Sequence, residues 1–97
     1  MAVFPDRLRQ LRMFRDVTQA QLAAAVGITD RACRRYESGE NEPTLSVLQA
    51  IADFFDVSVD YLMGRDSYWQ DSEGRINVRI PPDILNLELQ NRAKKKR

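Results

Sequence analysis

Arg31, Arg34 and Arg35 lie within one short stretch of the chain, T-D-R-A-C-R-R-Y-E-S. A guanidinium stays charged and presents its N–H donors as a flat fork. That fork matches two acceptors at once, such as two phosphate oxygens or the O6/N7 edge of guanine. On a helix turning about 100° per residue, Arg31, Arg34, Arg35 and Ser38 share one sector of roughly 100°. Cys33 and Tyr36 fall on the other side. A helix that buries Cys33 and Tyr36 therefore turns its arginines outward. Such a face is either a solvated surface balanced by nearby acids or a surface built to meet an external anion.

The elements around this stretch favour the second reading. Thr18 begins a helix, with Gln21 completing a T-x-x-Q capping box. Leu22, Ala23 and Val26 form the inner stripe of that helix, and Gly27 stands where a helix end wants a left-handed residue. Thr29 caps the next helix, which runs to about Ser38 and stops at Gly39. Helices joined only by Gly27-Ile28-Thr29 must cross steeply, as in a helix-turn-helix. Ala23 permits the close approach, Gly27 permits the turn, and Cys33 and Tyr36 supply the buried side. The motif spans residues 19–38.

The rest of the chain reads as support. A helix over 5–15 carries Pro5 in its first turn and repeats Leu8, Leu11 and Arg15, with Phe14 at one edge. After the loop 39–43, Thr44 caps a helix over 45–55 with the stripe Leu45, Leu48, Ile51, Ala52 and Phe55. Ser58 caps a short helix bearing Val59, Tyr61 and Leu62, closed by Gly64. The predicted fold class is all-α, with five helices in a domain over 5–64. Residues 65–97 form a C-terminal extension: a polar linker, a strand signal over 76–80, and a segment over 83–93 that fits a short helix or an extended run equally well. Val47 and Phe54 lie off the main stripe of their helix. They are candidates to contact a second copy, or Tyr68 and Trp69 folding back. Ile76, Val78 and Ile80 could pair with their own copy across a dimer axis. Alternatively, residues 65–97 form an arm for a protein partner. Dimer extension is the favoured reading.

Composition narrows the function classes. The 97-residue chain has a net charge of only +1, but the charges are sorted. Residues 7–35 carry a net +5, residues 36–64 a net −6, and the end, RAKKKR, five positive charges. A chain sorted in this way can show a basic face to a polyanion. Cys33 is the single cysteine and there is no histidine. An intrachain disulfide, Cys/His zinc sites and histidine-based catalysis are thereby excluded, and no cofactor is expected. Cys33 reads as a small buried apolar residue and not as a redox sensor. Without a phosphate-binding glycine loop or a nucleophile–base pair, an enzyme is not expected. No apolar run approaches the roughly 20 residues that span a bilayer. The start, MAVFPDRLRQ, shows no secretory signal. The expected location is the reducing cytoplasm.

Three separated motifs carry a resemblance: T-Q-A-Q-L-A-A-A-V-G-I-T (18–29), R-R-Y-E-S-G-E-N-E-P (34–43) and L-x-x-I-A-D-F-F-D-V-S-V-D-Y-L-M-G (48–64). In order and spacing, from about Arg7 to Gly64, the chain resembles the phage Cro/repressor-type helix-turn-helix family, the XRE-like transcriptional regulators. The resemblance implies a five-helix lambda-repressor-like domain. It also implies a two-fold homodimer occupying a double-stranded DNA operator, with helix 3 in the major groove. By the same resemblance, the positions facing DNA are Gln19, Thr29, Asp30, Arg31, Ala32, Arg34, Arg35 and Asn41. The helix-3 face (Asp30, Arg31, Ala32, Arg34, Arg35) would read bases, while Gln19, Thr29 and Asn41, with Ser38, would hold phosphates. Asp30 could accept from cytosine N4 or orient Arg31 or Arg34, the second being favoured. Arg12 and Glu37 match a pair that commonly joins helix 1 to the end of helix 3 in relatives. The chain departs from the pattern at Asp16, where relatives often have glycine, and at Glu40 and Glu42, where relatives often carry a basic residue. An antitoxin or adaptor, its C-terminal arm binding a protein partner, is the alternative function.

Overall fold

The computed structural model describes residues 3–65, together with 83, 84, 86, 87 and 90. Five helices follow one another: α1 (Phe4–Phe14), α2 (Gln19–Val26), α3 (Asp30–Ser38), α4 (Leu45–Phe55) and α5 (Val59–Met63). The all-α order is the expected one, and the ends follow local chemistry. Hydroxyls of Thr18, Thr29, Thr44 and Ser58 each accept a backbone N–H three residues on, and the Thr18–Gln21 capping box is complete. Gly27 closes α2 at φ +77°. Nothing lies within 4 Å of where its Cβ would stand, so backbone conformation alone requires glycine there. Asp16 and Asp56 adopt the same left-handed region, each at φ +57°. Asp16 thus makes the turn that its short polar side chain allows.

The core gathers Phe4, Leu8 and Leu11 from α1, Leu22 and Ala23 from α2, Cys33 from α3, Leu48, Ile51, Ala52 and Phe55 from α4, then Val57, Tyr61 and Leu62. Helix α3 packs on both α1 and α2. Phe4 meets Tyr36 edge to face, with ring centroids 6.4 Å apart. Arg7 covers the Tyr61 ring at 4.4 Å and donates to the Tyr61 carbonyl, which ties α1 to α5.

Some expectations are corrected. Helix α1 starts at Phe4, which is buried, one residue earlier than the periodicity suggests. Leu45, predicted in the stripe of α4, is 75% exposed. Arg15 is exposed, and its Nη1 lies 3.2 Å from Asp83 Oδ2. The ambiguous segment over 83–93 is helical at Asp83, Ile84, Asn86, Leu87 and Gln90. Ile84 is wholly buried in the domain core, so part of the extension belongs to the body it follows. The predicted strand 76–80, with Tyr68, Trp69, Ile76, Val78 and Ile80, lies outside the described residues, as does the RAKKKR end. Among the described residues, no helix is long and apolar enough to cross a membrane.

Candidate nucleic-acid interface

The inner side of α3 is fixed by a buried polar network. Arg12 donates from Nε to Glu37 Oε2 at 2.6 Å and from Nη2 to Glu37 Oε1 at 3.0 Å. Its Nη1 donates to the Val17 carbonyl at 3.1 Å, in the α1–α2 connection. Gln19 Nε2 adds a hydrogen bond to Glu37 Oε1 at 3.2 Å. The Cys33 thiol lies 3.9 Å from Glu37 Oε2. The Glu37 side chain is 5% exposed and that of Arg12 is 16% exposed. A bidentate pair with further donors on the same carboxylate is the geometry in which a buried charge is tolerated. The hydrogen bond to Glu37 holds the Arg12 guanidinium above its ordinary pKa. Burial, with the Glu37 charge nearby, pushes the Cys33 thiol up to about 11, so it stays protonated and unreactive near neutrality. Among the described residues, no buried side-chain nitrogen or oxygen lacks a partner.

The outer side is different. Thr29, Asp30, Arg31, Arg34, Ser38 and Asn41 are exposed, while Ala32 and Arg35 are half-buried. Arg31 and Arg34 make no ion pair or side-chain hydrogen bond among the described residues. Their neutralisation by the acids of 36–64 is therefore not seen. Arg35 is the tethered member, its Nε 4.0 Å from Glu40 Oε2. The Thr29 hydroxyl is occupied by the Ala32 N–H at 3.0 Å, and the Asn41 N–H bonds the Arg35 carbonyl at 3.3 Å.

Three placements differ from the sequence reading. Gln19, expected to be turned to solvent, is half-buried and bonded inward to Glu37. The Ser38 hydroxyl has two acceptors within reach of its single proton, the Arg35 carbonyl at 3.1 Å and Glu40 Oε1 at 3.3 Å. Asp30 makes no bond to Arg31 or Arg34, so no orienting contact is present. Sequence reasoning also missed the Ser38–Glu40–Arg35 cluster. Its signal was an acid just past the helix-ending Gly39, within reach of the last turn. Of the dimer candidates on α4, Val47 is half-buried against the core and Phe54 is 42% exposed. Phe54 lines a cleft of about 440 Å³ with Arg15, Val17, Phe55, Asp56 and Asp83.

Two capped helices joined by a left-handed glycine turn, the second locked inward by an ion pair and arginine-bearing outward, define a helix-turn-helix DNA-binding domain. The comparisons with known proteins agree. The helix-turn-helix family matches residues 8–62, and the chain belongs to that family, in its Cro/C1-type (XRE) branch, which is not one of enzymes. The chain is 43% identical over 60 residues to the cryptic phage CTXphi transcriptional repressor RstR of Vibrio cholerae, covering 62% of this chain and 54% of that protein. Among solved structures, the P22 c2 repressor in complex with synthetic operator 9T aligns at TM-score 0.59 and 32% identity, covering 61% of this chain and 89% of that one. A transcriptional regulator from Listeria innocua aligns at TM-score 0.61 and 26% identity over 97% of this chain and 77% of that one. The fold is thus the five-helix lambda-repressor-like domain. The chain spans about half the length of the curated relatives it matches, 54% of RstR and 55% of the uncharacterized HTH-type transcriptional regulator YobD from Bacillus subtilis.

Proposed function

We propose that the protein binds double-stranded DNA sequence-specifically as a homodimer and regulates transcription by occupying an operator, with α3 in the major groove. The observation that carries this reading is the pair of exposed arginines, Arg31 and Arg34, unpartnered among the described residues, on a helix anchored to the domain by the buried Glu37. A rigid helix with free guanidinium forks can meet base edges at low ordering cost. Asp30, Ala32 and Arg35 share that face and complete the base-reading set. Thr29, Asn41, Gln19 and Ser38 border it: the Asn41 side-chain amide would set register on a phosphate directly, and Gln19 and Ser38 would do so by exchanging the intramolecular hydrogen bonds they now make. The naming of RstR as a repressor and the operator complex of P22 c2 support the assignment.

The adaptor reading has less support. Asp83 and Ile84 are engaged by the chain's own domain, the first with Arg15 and the second in the core, and this leaves that part of the extension unavailable as an arm.

The test is selection from random duplexes, with the oligomeric state measured by sedimentation. The expected result is a two-fold-symmetric site with half-sites about 34–36 Å apart, bound by two copies. Selection that enriches no duplex sequence would overturn the proposal. Enrichment of an asymmetric site bound by one copy would remove the dimer.

A further inference from the structure

Of the three arginines on the outer side of α3, Arg35 is the one with a carboxylate beside it among the described residues. Gly39, at φ +85°, turns the chain so that Glu40 lies against the last turn of the helix. Glu40 Oε1 is 3.3 Å from the Ser38 hydroxyl, and the Glu40 N–H points at the same hydroxyl oxygen at 3.4 Å. The Ser38 hydroxyl is in turn 3.1 Å from the Arg35 carbonyl, and the Asn41 N–H reaches that carbonyl at 3.3 Å. The loop is thus laced to the end of the helix. The Glu40 carboxylate has one oxygen 3.3 Å from the Ser38 hydroxyl and the other 4.0 Å from Arg35 Nε. Nη1 and Nη2 of Arg35 make no hydrogen bond among the described residues.

We infer that Glu40 is a positioning residue for base recognition: anchored by Ser38, it restrains Arg35 through Nε and leaves the Nη1/Nη2 edge as an oriented fork. This rests on the DNA-binding reading proposed above. A guanidinium biased along one edge by a nearby carboxylate samples fewer rotamers before it meets DNA, so the fork reaches a guanine O6/N7 edge with a smaller ordering penalty. The same carboxylate carries a negative charge beside the backbone-facing loop and repels any duplex, whatever its sequence. Glu40 therefore acts on two terms with opposite sign. It strengthens discrimination at the base that Arg35 reads and weakens general attraction to DNA. An acidic residue in a loop beside a DNA-reading helix, unfavourable by charge alone, is accounted for in this way.

The test uses the full chain and the duplex it selects, a set of single-base-pair variants of that duplex, and an unrelated duplex. Glu40→Gln is expected to lower discrimination at one base pair about two- to fivefold, the scale of an exposed ion pair. It should also raise affinity for the unrelated duplex while leaving the thermal midpoint unchanged. Ser38→Ala should shift discrimination at the same base pair in the same direction. In an Arg35→Ala background, Glu40→Gln should no longer affect that base pair, while the gain on unrelated DNA persists. Unchanged discrimination at every base pair in Glu40→Gln overturns the inference. So does a loss that survives in the Arg35→Ala background. If the unmodified protein prefers no duplex at all, the DNA-binding reading itself fails. If it selects a site that Glu40→Gln reads equally well, only the role of Glu40 fails.

Discussion

Arg12 lies under α3 with each guanidinium nitrogen engaged: Nε and Nη2 on Glu37, and Nη1 on the Val17 carbonyl. Arg34 stands on the same helix, one turn before Glu37, yet it is exposed and without a partner among the described residues. The two residues carry the same charge and differ only in surroundings. Buried, the guanidinium neutralises a carboxylate and fixes how α3 sits on α1. Exposed, it has donors left over for another molecule. Removing an inward group should therefore disturb folding, and removing an outward one should disturb binding alone.

The largest effect tests the inward side. Arg12→Met leaves Glu37 charged and buried, and should cost about 3–5 kcal/mol in urea unfolding. Adding Glu37→Leu should recover much of that loss, because two apolar side chains leave no charge stranded. If Arg12→Met costs less than about 1 kcal/mol, the pair does not hold α3 and the contrast between the two sides collapses.

The next effect extends the inward class beyond the motif. Ile84 lies twenty residues past Gly64, yet it is fully buried in the core. Ile84→Ala should cost about 2–5 kcal/mol, the range for truncating a buried aliphatic side chain. A stability change near zero would mean that the domain closes without its C-terminal extension.

These residues also mark what could be read in advance. The five helices, their hydroxyl caps and their left-handed ends follow from chemistry within a few residues, so their places were legible. The Arg12–Glu37 pair spans twenty-five residues, and its geometry depends on how α1 and α3 meet; only family resemblance pointed to it. The i,i+4 spacing of Cys33 and Glu37 was an available sign that Glu37 faces inward. Helical periodicity places Ser38 outward, and the family resemblance places Gln19 there at the start of its helix. Each instead satisfies a polar neighbour of its own chain, which composition cannot reveal. Arg31 and Arg34 stand as the periodicity placed them.

The Cys33 thiol gives the inward side a pH signature. Its pKa rises from 9.0 to about 11 on folding, chiefly through burial. The stability this contributes is complete below pH 9 and is lost as pH climbs toward 11, because the unfolded chain releases the proton first. A shift of that size corresponds to at most about 2.7 kcal/mol. Unfolding free energies measured across this alkaline range should fall more steeply in the native protein than in Cys33→Ala. Parallel curves would place the thiol in contact with water.

Arg34→Ala tests the outward side. Unfolding should be unchanged within about 0.5 kcal/mol, while binding to the selected duplex weakens by about 1–3 kcal/mol and preference relaxes at one base pair. A uniform loss on every duplex, with a salt dependence reduced by about one phosphate contact, would reassign Arg34 from bases to backbone. A loss of stability would show it to be structural after all, and the two arginines would no longer differ in kind.

The smallest expected effect sits where periodicity misleads. Leu45 and Leu48 are three apart on α4 and belong to one stripe by spacing, yet they are 75% and 4% exposed. The first turn of α4 is exposed at Thr44, Leu45 and Ser46, and the helix meets the core only from Val47 and Leu48 onward. Leu45→Ser should therefore change monomer stability by no more than about 0.5 kcal/mol, whereas truncating Leu48 should cost several-fold more. The informative failure is a loss that deepens as protein is diluted. Mass action allows that pattern only if Leu45 is buried between two copies. Leu45 would then join the inward class through a partner, and the boundary between structural and available residues would have to be drawn on the dimer.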